Sequence, residues 1–252
     1  MNQEYKLPTE TVELPSEGLL YPQDSPLSSG KVEMKYMTAK EEDILTNVNL
    51  IRNNTVLDKL LKSLLITKVE LDDILVTDKN ALLIAARILG YGKDYTVNFY
   101  NPVTEVYEKV AVDLTKLKEK KLDRSLIVTP GVNEFEYKLP TTGNVITFKL
   151  LTHKDEKDID REIEGLKKMN PHGSYEVTTR FKRIITSVNG ERDPKAIRGF
   201  VDVMLAPDAR ALRKYIAEIQ PEIVMQFDYE SDTYVEEGVE ITITSDFFWP
   251  KS

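Results

Sequence analysis

The sequence predicts an α+β fold made of two pseudo-repeated modules, each an N-terminal strand or hairpin, several helices and a C-terminal β-hairpin. Three observations carry this. Residues 31–44 (KVEMKYMTAKEEDI) and 145–159 (VITFKLLTHKDEKDI) superpose at an offset of 149 − 35 = 114, which brings Lys35, Thr38, Lys40 and Glu42 onto Lys149, Thr152, Lys154 and Glu156. Further on, Asp78, Ala81 and Leu82 fall on Asp208, Ala211 and Leu212 at 208 − 78 = 130, and Phe99 falls on Phe227 at 128. In each half the late helix is followed by alternating segments that read as a hairpin. The offset grows from 114 to about 130, which places insertions in the middle helices of the second copy. The expected organisation is an extended arm over residues 1–30, a first module over 31–122 and a second over 123–252.

The arm holds Pro8, Pro15, Pro22 and Pro26 with Gly18 and Gly30. Proline fixes φ and removes a donor, so turns rather than a helix are expected there. Its Leu14, Leu19, Leu20 and Tyr21 need an apolar surface, on this chain or a neighbour. Residues 32–37 alternate as a strand, and Thr38 with Glu41 forms a capping box that starts a helix. Ile44, Leu45, Val48 and Ile51 give that helix one stripe, broken at Asn53-Asn54. Thr55 starts a second helix with a broad Leu face, and Asp78 is a good cap for a third over 79–89, apolar on nearly every side. Gly90 and Gly92 end it. Residues 95–100 and 106–114 then form a hairpin around Asn101-Pro102.

The second half repeats the order. Residues 135–139 and 145–151 pair across Thr141-Thr142-Gly143-Asn144, and Thr152 caps a helix interrupted at Pro171 and Gly173. Helices over 177–188, 194–205 and 207–219 follow, the second with Pro194 in its first turn. Strands over 223–229 and 239–244 close the chain.

Composition narrows the function classes. With 41% hydrophobic residues the chain can bury a core as one large or two small domains. Its longest apolar run, residues 81–86, is far short of the roughly 18 needed to span a bilayer, and residues 1–9 do not read as a signal or transit peptide. No membrane partner is expected. The lack of cysteine removes disulfides, thiolate zinc sites and cysteine nucleophiles. A net charge of −8 opposes general nucleic-acid binding, which needs a basic footprint. Residues 222–252 hold eight acidic side chains against Lys251 alone, a solvated face or an acidic docking edge for a basic partner.

Chemical motifs are scarce. His153 and His172 have no partner histidine at ligand spacing, so both read as structural or surface residues and no metal site is expected. Gly90-Tyr91-Gly92-Lys93 follows a helix rather than a strand, so it reads as helix termination, not a phosphate loop. Asp155, Glu156, Asp158 and Asp160 point several ways on one helix and read as solvated. Arg180, Lys182 and Arg183, joined by Lys167 and Lys168, read as a solvated helix face. The sequence ends near Phe247-Phe248-Trp249, either a strand pinned to the core or an aromatic anchor for a partner. Leu19, Leu20, Tyr21, Phe247, Phe248 and Trp249 are the candidate partner-binding residues. Neither catalytic nor cofactor-binding residues are assigned.

The blocks LPSEGLLYP, KYMTAKEEDILTN, DKNALLIAARILGYG, KLLTHKDEKDID, IRGFVDVML and DARALRKYI together resemble the baseplate protein family of T-even-type contractile-tailed bacteriophages, which includes the baseplate hub subunit and the hub-assembly protein. The similarity covers nearly the whole chain, and its specificity comes from several long blocks in one order. Relatives in this family often carry paired cysteines in the late hairpins, resembling zinc ribbons. Here those places read NPVTE at 101–105 and DYESDT at 228–233, so such hairpins must hold by pairing and packing. The resemblance implies a non-enzymatic structural part of the tail hub in the virion, made in the host cytoplasm, that contacts other baseplate and tail-tip proteins. It equally implies an assembly factor absent from the finished particle. A carboxylate-based hydrolase is the alternative from another class and requires two carboxyl groups facing across a cleft.

Overall fold

The β-branched run TETVE in the arm forms a strand, β1 (Thr9–Glu13), antiparallel to β2 (Lys31–Lys35), with Thr9 opposite Lys35 and Glu13 opposite Lys31. These come from a computed structural model that describes residues 7–248. The described arm is therefore one strand of a hairpin and its connection, not a separate extended segment. The connection folds back sharply at Gly18, whose φ is +77° and where a Cβ would lie 2.4 Å from the Ser28 carbonyl oxygen. Only glycine fits there.

Three helices follow where the sequence predicts two. They are α1 (Ala39–Leu45), α2 (Val48–Arg52) and α3 (Val56–Leu64). The expected continuous stripe to Ile51 breaks at Asn47, whose side chain accepts from the Asn49 and Leu50 N–H groups and so caps α2. Val56, Leu60, Leu61 and Leu64 bury the inner face of α3. α4 (Val76–Tyr91) starts earlier than expected, so Asp78 is its third residue rather than its cap. β3 (Asp94–Asn101) and β4 (Val106–Asp113) form the predicted hairpin. β5 (Glu119–Lys120) leads into the second half.

There, β6 (Phe135–Lys138) and β7 (Val145–Phe148) pair, and Thr152 caps α5 (His153–Met169). α6 (Glu176–Ile184) ends early. Its expected last turn is instead a strand, β8 (Ile185–Val188), paired to β7 through Ile146 and Val188. The β-branched ITSV run gains more by completing a sheet than by extending a helix. α7 (Pro194–Asp202), α8 (Ala206–Ile219), β9 (Glu222–Ile223), β10 (Gln226–Glu230) and β11 (Val235–Glu240) complete the order. β10 is shorter than the strand expected over 223–229, and β11 starts four residues before the one expected over 239–244.

All sheets among the described residues are small and antiparallel, and together with the helices they make the fold α+β. One continuous core takes in residues from both halves, including Leu82, Ile84, Phe148, Leu212, Phe247 and Phe248. α4 lies at its centre, packed by α3, α5, β9 and the final turn. The halves also exchange their ends. Arg87 on α4 donates Nε to the Phe247 carbonyl at 3.1 Å, while Lys120 donates to the Ala217 carbonyl on α8 at 2.6 Å. β5 pairs with β9, so the segment after the first hairpin is stitched beside the second.

Candidate interaction surface

Most of the residues expected to face a partner face this chain instead. Leu20 and Tyr21 are buried, and Leu19 packs against the same core. Tyr21 is fixed at both ends of its hydroxyl, which donates to Asp78 Oδ2 at 2.6 Å and accepts from the Leu75 N–H at 2.9 Å. Phe247 and Phe248 have no exposed surface, and Phe247 packs its ring 4.9 Å from that of Tyr95. Burying two such rings stabilises the fold by roughly 2–3 kcal/mol each, so they are pinned to the core and are not an anchor for another protein. Trp249 lies outside the described residues.

A cluster of exposed apolar side chains lies on the β3–β4 hairpin. Tyr107 is 75% exposed, and Tyr100, Val103 and Val106 are also exposed. Tyr100 and Tyr107 are register partners whose ring centroids lie 5.2 Å apart. Alternation along β3 sends Phe99 and Asn101 to the opposite, buried face. Asn101 organises the turn, since its Oδ1 accepts from the N–H groups of Val103 and Thr104 at 2.9 and 3.3 Å. Its Nδ2 donates to Glu108 and to the Tyr229 hydroxyl at 3.1 Å. Tyr229, on β10 of the second half, stacks on Phe99 with centroids 4.1 Å apart and donates to Glu108 at 2.7 Å. The donors from Tyr229 and Asn101 hold the Glu108 carboxyl below its ordinary range. The ring and hydroxyl of Tyr229 brace this hairpin from behind. Exposed aromatic pairs on a braced frame are the usual currency of protein recognition.

The charged residues singled out from the sequence are mostly paired with one another. His153 is buried, with Nε2 2.7 Å from Asp58 Oδ2, and Lys79 donates to Asp58 Oδ1 at 2.6 Å. Burial opposes ionisation of Asp58, but the His153 and Lys79 contacts outweigh it and hold the carboxyl far below its usual range. Burial pulls the Lys79 ammonium down. This cluster sits where the halves meet and ties α3 and α4 to α5. Asp155, expected to be solvated, is buried and takes two hydrogen bonds from Lys149 at 2.8 and 2.7 Å. Arg180 pairs with Glu156 and Glu176, Lys182 with Asp202, and Arg183 with Asp155 and Asp158, so this basic patch is a set of ion pairs rather than a free face. His172 is exposed.

Two clefts remain. One of about 750 Å³ lies between the arm, residues 68–75 and residues 131–133, lined by Tyr21, Pro22, Lys68, Glu70, Asp73 and Asn133 among others. The other, of about 450 Å³, lies between the halves, lined by Lys149, Glu156, Arg180, Phe181, Arg213 and Ile216 among others. Its charged groups Arg180 and Glu156 are already paired at 2.8 Å. Glu41, Asp78, Asp155 and Asp208 are the buried carboxylates, and each takes its hydrogen bonds from lysine, hydroxyl or backbone donors that hold a loop or cap in place. Among the described residues no group of three or more His, Cys, Asp or Glu is arranged to hold a metal ion, and no helix is long and apolar enough to cross a membrane. No family model, curated protein or solved structure matches the chain.

Proposed function

We propose that this protein is a structural component of a phage tail baseplate hub that acts through protein–protein contacts. The observation that carries the reading is the Tyr100–Tyr107 patch, held outward on a hairpin that the other half of the chain braces from behind. The six sequence blocks that resemble the baseplate family supply the partner class, other baseplate and tail-tip proteins, and the setting, the virion after synthesis in the host cytoplasm. The same resemblance supports an assembly factor that leaves before the particle is complete.

We further propose that the two halves are sister modules. Element order supports this: hairpin, helices, a strand or bridge to the hairpin, then a late helix and a second hairpin occur in each. In the first half the third strand is reduced to a bridge from Met34 to Leu65, where the second half pairs Phe148 with Ile185. Mass spectrometry of purified particles tests the assignment, with stoichiometric copies expected. Absence from particles together with co-purification from assembly intermediates would transfer it to the assembly factor. No association with any tail-tip protein in either material would end both readings.

A further inference from the structure

The halves share one contact whose counterpart is missing. Residues 74–76 run antiparallel to residues 151–153, with Leu75 bridging Thr152. The Val76 N–H donates to the Leu151 carbonyl at 2.9 Å and the His153 N–H to the Ile74 carbonyl at 2.8 Å. Elsewhere contact is traded both ways, as Arg87 with Phe247 and Lys120 with Ala217 illustrate. At the sequence offsets of 130 and 114, the counterparts of residues 74–76 are Met204, Leu205 and Ala206, and those of residues 151–153 are Met37, Thr38 and Ala39. Among the described residues no backbone hydrogen bond joins these two segments within the chain.

Both are ready for the same pairing. Among the described residues the N–H groups of Ala39 and Ala206 and the carbonyls of Met37 and Met204 make no hydrogen bond. Two donors and two acceptors are thus left at the positions that the internal bridge uses. Ala39, Leu205 and Ala206 are exposed, and Val203 beside them is 74% exposed. A shallow recess lined by Ala206, Pro207, Arg210, Ala211 and Lys214 adjoins them. Charge agrees as well, because Arg210 in that recess has no ion pair among the described residues, while Glu42 and Asp43 stand exposed on α1.

We propose that residues 204–206 receive residues 37–39 of a second copy of this chain, repeating between molecules the bridge that Leu75 makes to Thr152 within one. Ala39 would donate to Met204 and Ala206 to Met37. The inference rests on the reading of the halves as sister modules. A contact that two copies make mutually closes a dimer, whereas one made head to tail continues into a ring or filament.

Sedimentation velocity over a range of micromolar concentrations tests it, on the wild type and on Ala206→Pro, Ala39→Pro and Leu205→Glu. Both alanines occupy the first position of a helix after an extended residue, where proline keeps the fold and removes only the N–H. The wild type is expected to self-associate, each proline variant to weaken association by about tenfold, and Leu205→Glu to leave monomers, with thermal midpoints unchanged. A wild type that is monomeric throughout overturns the proposal. So does an oligomer that all three variants leave intact, or an effect of Leu205→Glu on binding to another tail protein alone. A monomeric chain found in stoichiometric amount in particles would end this inference and leave the hub assignment standing.

Discussion

Asp78 and Asp208 each stand third in a late helix, and each carboxylate fastens the turn of its own half's first hairpin. Asp78 accepts from the Ser16 N–H at 3.0 Å and from the Ser16 and Tyr21 hydroxyls at 2.6 Å each. Asp208 accepts from the Thr141 and Thr142 N–H groups at 2.7 and 3.2 Å and from the Thr142 hydroxyl at 2.8 Å. The turns read Leu14-Pro15-Ser16-Glu17-Gly18 and Leu139-Pro140-Thr141-Thr142-Gly143. One location thus performs one mechanical task in both halves, yet with different donors.

That difference fixes opposite responses to pH. Burial pushes the Asp78 carboxyl up, and its largely hydroxyl donors do not reverse this. Burial also opposes ionisation of Asp208, but the Thr141 and Thr142 donors overcome it and bring that carboxyl down. A lowered carboxyl contributes stability above its unfolded value of about 3.9 and loses it as pH falls through the folded value. A raised one contributes below about 3.9 and loses it as pH rises through the folded value. Urea denaturation between about pH 3 and 7 should therefore show the wild type gaining on Asp208→Asn as pH rises, and losing ground to Asp78→Asn. Parallel curves for the two variants would refute the assignment.

The helix starts repeat in the same spirit. Lys35 donates to Glu41 at 2.8 Å, and Lys149 to Asp155 at 2.7 Å. Each acid also accepts from the backbone N–H of its capping threonine, at 2.9 Å for Thr38 and 3.1 Å for Thr152. Glu41 is fully buried, which works against its charge, but Lys35, Ser63 and Thr38 bring it down to about 2. Glu41→Gln should cost roughly 2–3 kcal/mol at neutral pH, as an upper bound. The folded value lies below the unfolded one, so this contribution should fade as pH falls from 4.5 to about 2. A pH-independent difference in denaturation midpoint would show that the charge is irrelevant there.

The α+β class was legible because capping boxes, glycine stops and alternating hairpins are local signals. What escaped was non-local. β1 was hidden because residues 14–30 separate it from its partner, so its proline-rich surroundings read as a free arm. β8 was hidden because the helical pattern of α6 runs directly into ITSV, and only pairing with β7 separates them. The exposed pair Tyr100 and Tyr107 was readable as alternation, but which face points outward depends on Phe99 meeting Tyr229 from the other half. The same dependence misdirected attention to Phe247 and Phe248, whose aromatic cluster is filled by Tyr95 and α4.

Core and surface aromatics should separate cleanly under mutation. Phe247→Ala removes a fully buried ring and should cost about 3–5 kcal/mol, read as a fall in thermal midpoint. Tyr107→Ser acts on an exposed side chain and should change stability by no more than about 0.5 kcal/mol, while abolishing capture of tail-tip proteins in a pull-down. Intact capture by Tyr107→Ser combined with Tyr100→Ser would remove this face from the interaction.

The Asp58–Lys79–His153 cluster offers the sharpest test of how the halves are held. Its groups are three-quarters or more withdrawn from water, with side-chain exposures of 24%, 13% and 10%. Removing one member of a buried charge cluster leaves the others uncompensated, so Asp58→Ala should destabilise by about 3–5 kcal/mol. Replacing all three together, as Asp58→Leu with Lys79→Met and His153→Phe, removes the uncompensated charge along with the attraction. That triple variant should recover most of the loss, because apolar packing commonly matches a buried ion pair. Acid adds a second readout: Asp58 is held well down, so its contribution stands above about pH 3.9 and disappears as pH falls further. If the triple variant is no more stable than Asp58→Ala, the cluster contributes directional hydrogen bonding that packing cannot replace, and α5 is positioned by those bonds rather than by the core beneath it.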